Sequence, residues 1–238
     1  MQITMIGHST VLIETAGMKI LTDPYFSTWG NVAYRRVDRP VRSREELQNV
    51  DLVLHSHHHW DHTDGGFFRA LPDTTPVLDP KPVAWELRLF GVHQVVGLKP
   101  WESRSYGEVT VTAVPAIHVA IAIGFVIQSE GKCVYFAGDT DHAPFMKEIG
   151  RRFALDVALM PVTTFRIPMT MGEVGAVRAA RDLAPKVIIP IHLGIQPRSF
   201  LLRTRQSVAG FEKRLHEAGL ESRVVEMKDG EAFTIGSH

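Results

Sequence analysis

Five of the twelve histidines fall within eight positions, in the stretch Leu54-His-Ser-His-His-His-Trp-Asp-His62. The run follows Leu52-Val-Leu54, which reads as a buried strand. On an extended chain, side chains two apart point the same way, so His57 and His59 could grip one ion together. Asp61 and His62 stand where the chain must turn into the next helix, and aim at a neighbouring position. Imidazole and carboxylate donors without thiolate suit zinc, and also manganese or iron, so ligand type alone does not choose the metal; zinc is the expected one. A solvated histidine run needs no Asp-His at this spacing, and an expression tag would lie at a terminus. The single cysteine, Cys133, sits inside a strand pattern. An intrachain disulfide and a thiolate-rich zinc site are therefore excluded.

Two ions need further ligands, and three strand patterns end on suitable residues. They are Ala113-Val-Pro-Ala-Ile-His118, Val134-Tyr-Phe-Ala-Gly-Asp139 and Val187-Ile-Ile-Pro-Ile-His192. Gly138 allows close backbone approach just before Asp139. Two ions about 3.5–4 Å apart would share a bridging hydroxide, a nucleophile at neutral pH. Asp61 is the catalytic candidate, orienting that hydroxide and returning a proton to the leaving group. Two divalent ions, two carboxylates and a hydroxide leave a formal charge of about +1, which favours an anionic lactone, ester or phosphodiester substrate.

Ligating imidazoles need partners on their other nitrogen. Asp23, at a strand exit before Pro24, and His8 are the candidates for that supporting role. His142 and Arg166 are candidate substrate contacts, Arg166 because residues 163–171 read as a loop over the metals. Residues 25–44, rich in arginine and aromatics, are irregular and read as a lid, an oligomer contact or a lipid-facing patch. His55, His58, His93 and His216 read as structural or solvent-facing.

The elements that must position these groups follow from periodicity and breakers. Strands are predicted at 2–6, 10–15, 19–22, 52–54, 76–78, 94–96, 109–114, 123–129, 133–137, 157–160, 187–191, 223–227 and 232–235. Helices are predicted at 64–70, 82–90, 144–152, 173–184 and 204–218. Residues 11–23 and 126–139 echo one another: strand, glycine-containing turn, strand, then an aspartate. That echo favours a duplicated α/β sandwich over a Rossmann fold, and neither Gly-x-Gly-x-x-Gly nor a phosphate loop occurs.

The ordered set His57-x-His59-x-Asp61-His62, His118, Gly138-Asp139-Thr140 and Pro190-Ile-His192 resembles the motif signature of the metallo-β-lactamase superfamily, across nearly the whole chain. The resemblance implies a four-layer αββα sandwich with two similar halves, as a single domain over 1–238. It also implies that His57, His59 and His118 hold one metal, and Asp61, His62 and His192 a second, with Asp139 bridging. Gly7-His8-Ser-Thr-Val-Leu, Leu21-Thr-Asp23-Pro and Ser56-His-His-His-Trp-Asp-His most resemble the branch containing ascorbate-6-phosphate lactonase and N-acylphosphatidylethanolamine-hydrolysing phospholipase D. The family's flavodiiron members usually carry Glu where His59 stands, which disfavours redox chemistry. A non-hydrolytic redox or sensor protein of the same fold is the competing reading.

Composition sets the outer bounds. At 238 residues, with 45% hydrophobic and 22% charged residues and a formal net charge of zero, the chain suits a globular protein with a sizeable core. Nothing global points to nucleic acid. No apolar run approaches the roughly 18 residues of a membrane span, and no signal-peptide pattern opens the sequence. The expected partner is a small molecule, anionic or lipid-like, with homo-oligomers allowed and the cytoplasm as the expected location.

Overall fold

The computed structural model describes residues 1–236. Sixteen strands form two seven-stranded sheets and one small ribbon. The first sheet contains β1 (Gln2–Gly7), β2 (Thr10–Thr15), β3 (Met18–Thr22), β5 (Leu52–Leu54), β6 (Val77–Pro80), β7 (Val95–Leu98) and β16 (Ala232–Thr234). The second contains β8 (Ser103–Tyr106), β9 (Val109–Pro115), β10 (Ile123–Ser129), β11 (Lys132–Phe136), β12 (Val157–Pro161), β13 (Val187–Ile191) and β15 (Arg223–Val224). The ribbon pairs β4 (Tyr34–Arg36) with β14 (Ile195–Pro197). The helices are α1 (Arg44–Leu47), α2 (Gly65–Ala70), α3 (Phe145–Arg152), α4 (Gly172–Leu183) and α5 (Val208–Glu217).

The sheets repeat one plan. Strand order is β16-β1-β2-β3-β5-β6-β7 in one and β15-β13-β12-β11-β10-β9-β8 in the other. In each, an antiparallel run ends on the strand that precedes an aspartate (β3 before Asp23, β11 before Asp139), and parallel strands continue from there. The expected duplication and sandwich are what the chain forms. Burial follows the layers: Ile13, Ile20, Leu54, Phe125, Phe136 and Ile189 belong to a central core fed by both sheets. The outer face of the second sheet packs against α3, α4 and α5 through Met146, Ala176 and Phe211. The outer face of the first packs against α2 and its neighbours through Phe67, Phe68 and Leu87.

Several local expectations need correction. The helix expected at 82–90 forms over residues 84–90 as a 3-10 helix, closed by Gly91 at φ +86°. The last helix starts at Val208, not near 204, because Ser207 caps it by accepting from Gly210 N–H. Residues 225–227 do not continue β15. Residues 25–44 are not wholly irregular, since β4 lies within them and α1 begins at Arg44. Asp64 anchors that region: it caps α2, accepts both guanidinium contacts of Arg44 (2.8 and 3.0 Å) and holds Phe26 N–H.

Helix α3 crosses the end of α4 at Gly150, where a β-carbon would collide with the Asp182 carbonyl oxygen and come within 2.9 Å of that of Leu183. Overpacking of this kind costs about 1–3 kcal/mol. Gly150→Ala is therefore expected to lower the melting temperature while leaving metal content unchanged, as read by calorimetry and metal analysis on the same sample.

Candidate metal centre

Parallel pairing brings the donors to one edge. β3 and β5 run side by side in register, so Asp23 and Ser56 leave the first sheet together. β9, β11 and β13 all end at the matching edge of the second sheet, delivering the segments of His118, Asp139 and His192. The edges meet where Ser56 accepts from Ile123 N–H and Gly138, at φ +57°, lies against Ser56. A β-carbon at Gly138 would fall 2.6 Å from that of Ser56, so only glycine lets Asp139 approach.

Seven residues expected from the sequence to be ligands converge here. His118 Nε2 and His59 Nδ1 are 3.0 Å apart, and the His57 ring packs against both imidazoles. On the other side, His192 Nε2 lies 3.1 Å from Asp139 and 3.6 Å from Asp61. His62 Nε2 lies 3.5 Å from Asp139, which is also 3.9 Å from His118. His57, His59 and His118 thus form one group of converging donors, and Asp61, His62 and His192 a second, which His8 joins.

The buried polar atoms without a hydrogen-bond partner test whether ions fit. They include His57 Nε2, His62 Nε2 and Asp139 Oδ1, all in this cluster. A buried unpartnered polar atom is costly, and nitrogen and carboxylate donors suit zinc, manganese or iron. These residues could hold two ions.

Asp23 explains the orientation of two rings. Fully buried, it accepts from Ser56 N–H (2.7 Å), Ser56 Oγ–H (2.6 Å) and His62 Nδ1–H (2.7 Å). Because Ser56 gives its proton to Asp23, its oxygen accepts from His57 Nδ1–H at 2.9 Å. One carboxylate therefore turns the Nε2 atoms of both His57 and His62 toward the cluster. His8 differs. Its Nδ1 accepts from Gly194 N–H (3.2 Å), so the neutral ring carries its proton on Nε2, 3.4 Å from Asp61. That tautomer points an N–H toward Asp61, although Nε2 is, like His57 Nε2 and His62 Nε2, a buried nitrogen without a hydrogen-bond partner.

The two donor groups also differ in charge. Burial pushes His57 well below the usual histidine range and His118 down to about 4, so both are neutral. Burial, with His192 nearby, takes His8 down to about 3. On the other side the carboxylates outweigh burial: Asp139 and Asp61 lift His192 to about 9, and Asp139 with Asp23 raises His62. In return, and against burial, His192 and His8 hold Asp61 well below the carboxylate range, as His192 and His62 do Asp139.

The cluster opens onto a cavity of about 150 Å³ whose floor is His59, Asp61, Asp139 and His192. Its walls are Tyr34, Trp60, Phe165, Met169 and Ile195. Phe165 and Met169 lie in the loop expected over the metals, and Tyr34 in the aromatic stretch read as a lid, an oligomer contact or a lipid-facing patch, though none was singled out as a wall residue; Trp60 interrupts the histidine run, and nothing marked Ile195. A larger cleft of about 730 Å³, lined by His8, Gly194, Asp38, Arg39, Lys228 and Asp229 among others, reaches His8 but none of the other converging donors. His142 and Arg166 do not line the smaller cavity. His142 pairs with Asp182 on α4 at 2.7 Å, and Arg166 is exposed beside the Leu201 carbonyl.

A profile of the beta-lactamase superfamily domain matches residues 18–193. The chain belongs to the metallo-β-lactamase superfamily. Within it, the chain is 30% identical to a UPF0173 metal-dependent hydrolase of Archaeoglobus fulgidus, over 98% of both chains. It is 33% identical to another from Methanoregula boonei, over 81% of this chain and 82% of that one. Among solved structures, Igni18, a metallo hydrolase from Ignicoccus hospitalis, superposes with a TM-score of 0.79 at 25% identity, covering 98% and 97% of the two chains. A possible metal-dependent hydrolase from Veillonella parvula gives 0.81 at 21% identity, covering 98% of each. This superfamily member is thus a metal-dependent hydrolase of the UPF0173 family. Among the described residues no helix is long and apolar enough to cross a membrane.

Two predictions follow from the geometry. Asp23→Asn removes an acceptor that Ser56 and His62 share, and should weaken metal affinity about 10–100-fold, measured by competition with a chromophoric chelator. Metal uptake should also release protons. His62 and His192 are raised and thus protonated at pH 7, and must lose protons to coordinate, whereas His57 and His118 are already neutral. Affinity on the His62–His192 side should rise with pH, the His192 contribution levelling off near 9. Calorimetry at pH 7 in two buffers of different ionisation enthalpy should show about two protons released; no release would contradict the assignment.

Proposed function

We propose that this metallo-β-lactamase superfamily hydrolase uses two ions to cleave a lactone, ester or phosphodiester bearing an apolar substituent. The observation that carries the reading is the unpartnered donor cluster opening onto an aromatic-walled cavity. In this proposal His57, His59 and His118 hold one ion, Asp61, His62 and His192 the other, and Asp139 lies between them. Zinc suits these donors best, with manganese and iron as the alternatives. Bound there, the ions would polarise the scissile group and lower the pKa of water.

The chain's own residues supply the rest. Asp61 stays ionised because His8 and His192 face it. It orients the attacking water and carries the proton to the leaving group. His8, whose tautomer is set by Gly194 N–H, turns its Nε2–H toward the Asp61 carboxylate at 3.4 Å. Tyr34, Trp60 and Phe165 receive the apolar part of the substrate and exclude water; Tyr34 and Phe165 are in ring contact at 5.2 Å. No lysine or arginine lines the cavity, so an anionic substrate would be held by the ions themselves. Arg35 and Arg166 stand next in sequence to Tyr34 and Phe165, and both are exposed. Arg166 is exposed and, among the described residues, its side chain is held only by the Leu201 carbonyl at 3.5 Å, whereas His142 is paired with Asp182 at 2.7 Å, so of the two we favour Arg166 as a substrate contact. Lactonase or phosphodiesterase character, as in the ascorbate-6-phosphate lactonase and phospholipase D branch, is the form of the reaction we favour.

The test is a panel of lactones, carboxylic esters and phosphodiesters with short and long apolar groups, offered to metal-reconstituted protein. Turnover should favour the longer groups. Asp61→Asn should lower kcat by about 10²–10⁴-fold, and Phe165→Ala should raise KM for the apolar substrates with a smaller change in kcat. No turnover of any panel member by protein holding two ions would overturn the reading, and a redox-active di-iron centre would favour the redox alternative.

A further inference from the structure

The same loop carries a second set of donors on its other side. His57 and His59 face the main cluster, while His55 and His58 face a fully buried carboxylate, Asp79, at the end of β6. His55 Nδ1 lies 2.6 Å from Asp79 Oδ1, and His58 Nε2 lies 2.9 Å from Oδ2 and 3.1 Å from Oδ1. We propose that His55 Nδ1, His58 Nε2 and the Asp79 carboxylate form a further binding site for a zinc-like divalent cation, separate from the candidate catalytic centre.

Three observations support the site. Each outer ring nitrogen already has an oxygen partner: His55 Nε2 meets Thr63 Oγ1 at 2.9 Å, and His58 Nδ1 meets Glu86 at 3.1 Å. Metal-binding imidazoles are normally held this way, with the outer N–H on a hydroxyl or carboxylate and the inner nitrogen left for the ion. The three inner donor groups lie within 4.8 Å of one another. Tetrahedral zinc bonds of about 2.0–2.1 Å place neighbouring ligand atoms about 3.3 Å apart. The present spacings need to open by about half an ångström or slightly more for that.

Charge is the third. Asp79 and Glu86 bring two negative charges, and no lysine or arginine forms an ion pair with either among the described residues. A divalent cation with two neutral imidazoles balances them. His58 is only partly buried and Glu86 is more open, which gives an ion a route from solvent. Glu86 lies on the 3-10 helix and Thr63 just before α2. An ion here would therefore tie the loop carrying His57 and His59 to β6 and to the 3-10 helix beside it.

The decisive experiment is an anomalous difference map at the zinc edge from crystals equilibrated with zinc. We expect a peak bounded by His55 Nδ1, His58 Nε2 and Asp79, apart from any peaks at His57, His118 or His192. In solution, zinc-saturated protein should hold one more ion per chain than His58→Gln, a change at a partly exposed position, while His118→Ala should affect the other cluster. Loss of ions in His118→Ala but not in His58→Gln, with no peak beside Asp79, would overturn this site and leave the catalytic proposal standing. A peak beside Asp79 alone would support this site and overturn the catalytic one. If Asp79→Asn fails to fold, the map and His58→Gln still decide.

Discussion

The buried carboxylate of Asp23 is the constraint on which the site depends. It has three donors, Ser56 N–H, Ser56 Oγ–H and His62 Nδ1–H, and no solvent to share them with. Removing one partner of such a network leaves buried groups unsatisfied, at a cost of about 1–3 kcal/mol or more. Because Ser56 has already given its proton, its oxygen can only accept from His57. The direction of two imidazoles on the shared face is thus decided by a residue that need not touch a metal. The register between β3 and β5 places that carboxylate beside Ser56, so strand pairing and site chemistry are one arrangement.

The backbone carries a matching cost. Among the non-glycine residues with positive φ are His8 (61°), Asp23 (33°) and His192 (64°), all three in or beside the donor cluster. Such conformations cost of order 1–3 kcal/mol each and persist where surrounding contacts over-determine them. Those contacts are visible: His192 N–H donates to the His8 carbonyl, and Gly194, where a β-carbon would lie 2.8 Å from that of His8, lets the two turns interlock. Strain and hydrogen bonding here favour the same geometry.

Much of this was legible in the sequence. The strands before His57, Asp139 and His192 are continuous apolar runs that parallel, doubly covered strands require, so their ends and the donors beyond them stood out. The echo between 11–23 and 126–139 reflected a real repeat of sheet order. What escaped notice depends on long-range pairing. β4 and β14 are three residues each and exist because they pair across 161 positions, between Arg35 and Gln196, which no local pattern records. The pairing of the cavity walls was hidden for the same reason: Tyr34 and Phe165 become neighbours only once that ribbon and the loop fold over the donor cluster. The 3-10 form of residues 84–90 was invisible because its apolar spacing also fits an α-helix.

One feature of the sandwich reaches beyond the reaction. The donors come from both halves: Asp61 and His62 follow the first sheet, and His118, Asp139 and His192 follow the second. Neither half owns a complete cage. An ion held by both sets would act as a rivet across the seam between the repeats, its binding free energy available only to the docked pair. The repeat also shows how equivalent positions part ways: Asp23 and Asp139 leave matching strands, β3 and β11, yet one holds imidazoles from behind while the other stands among the converging donors.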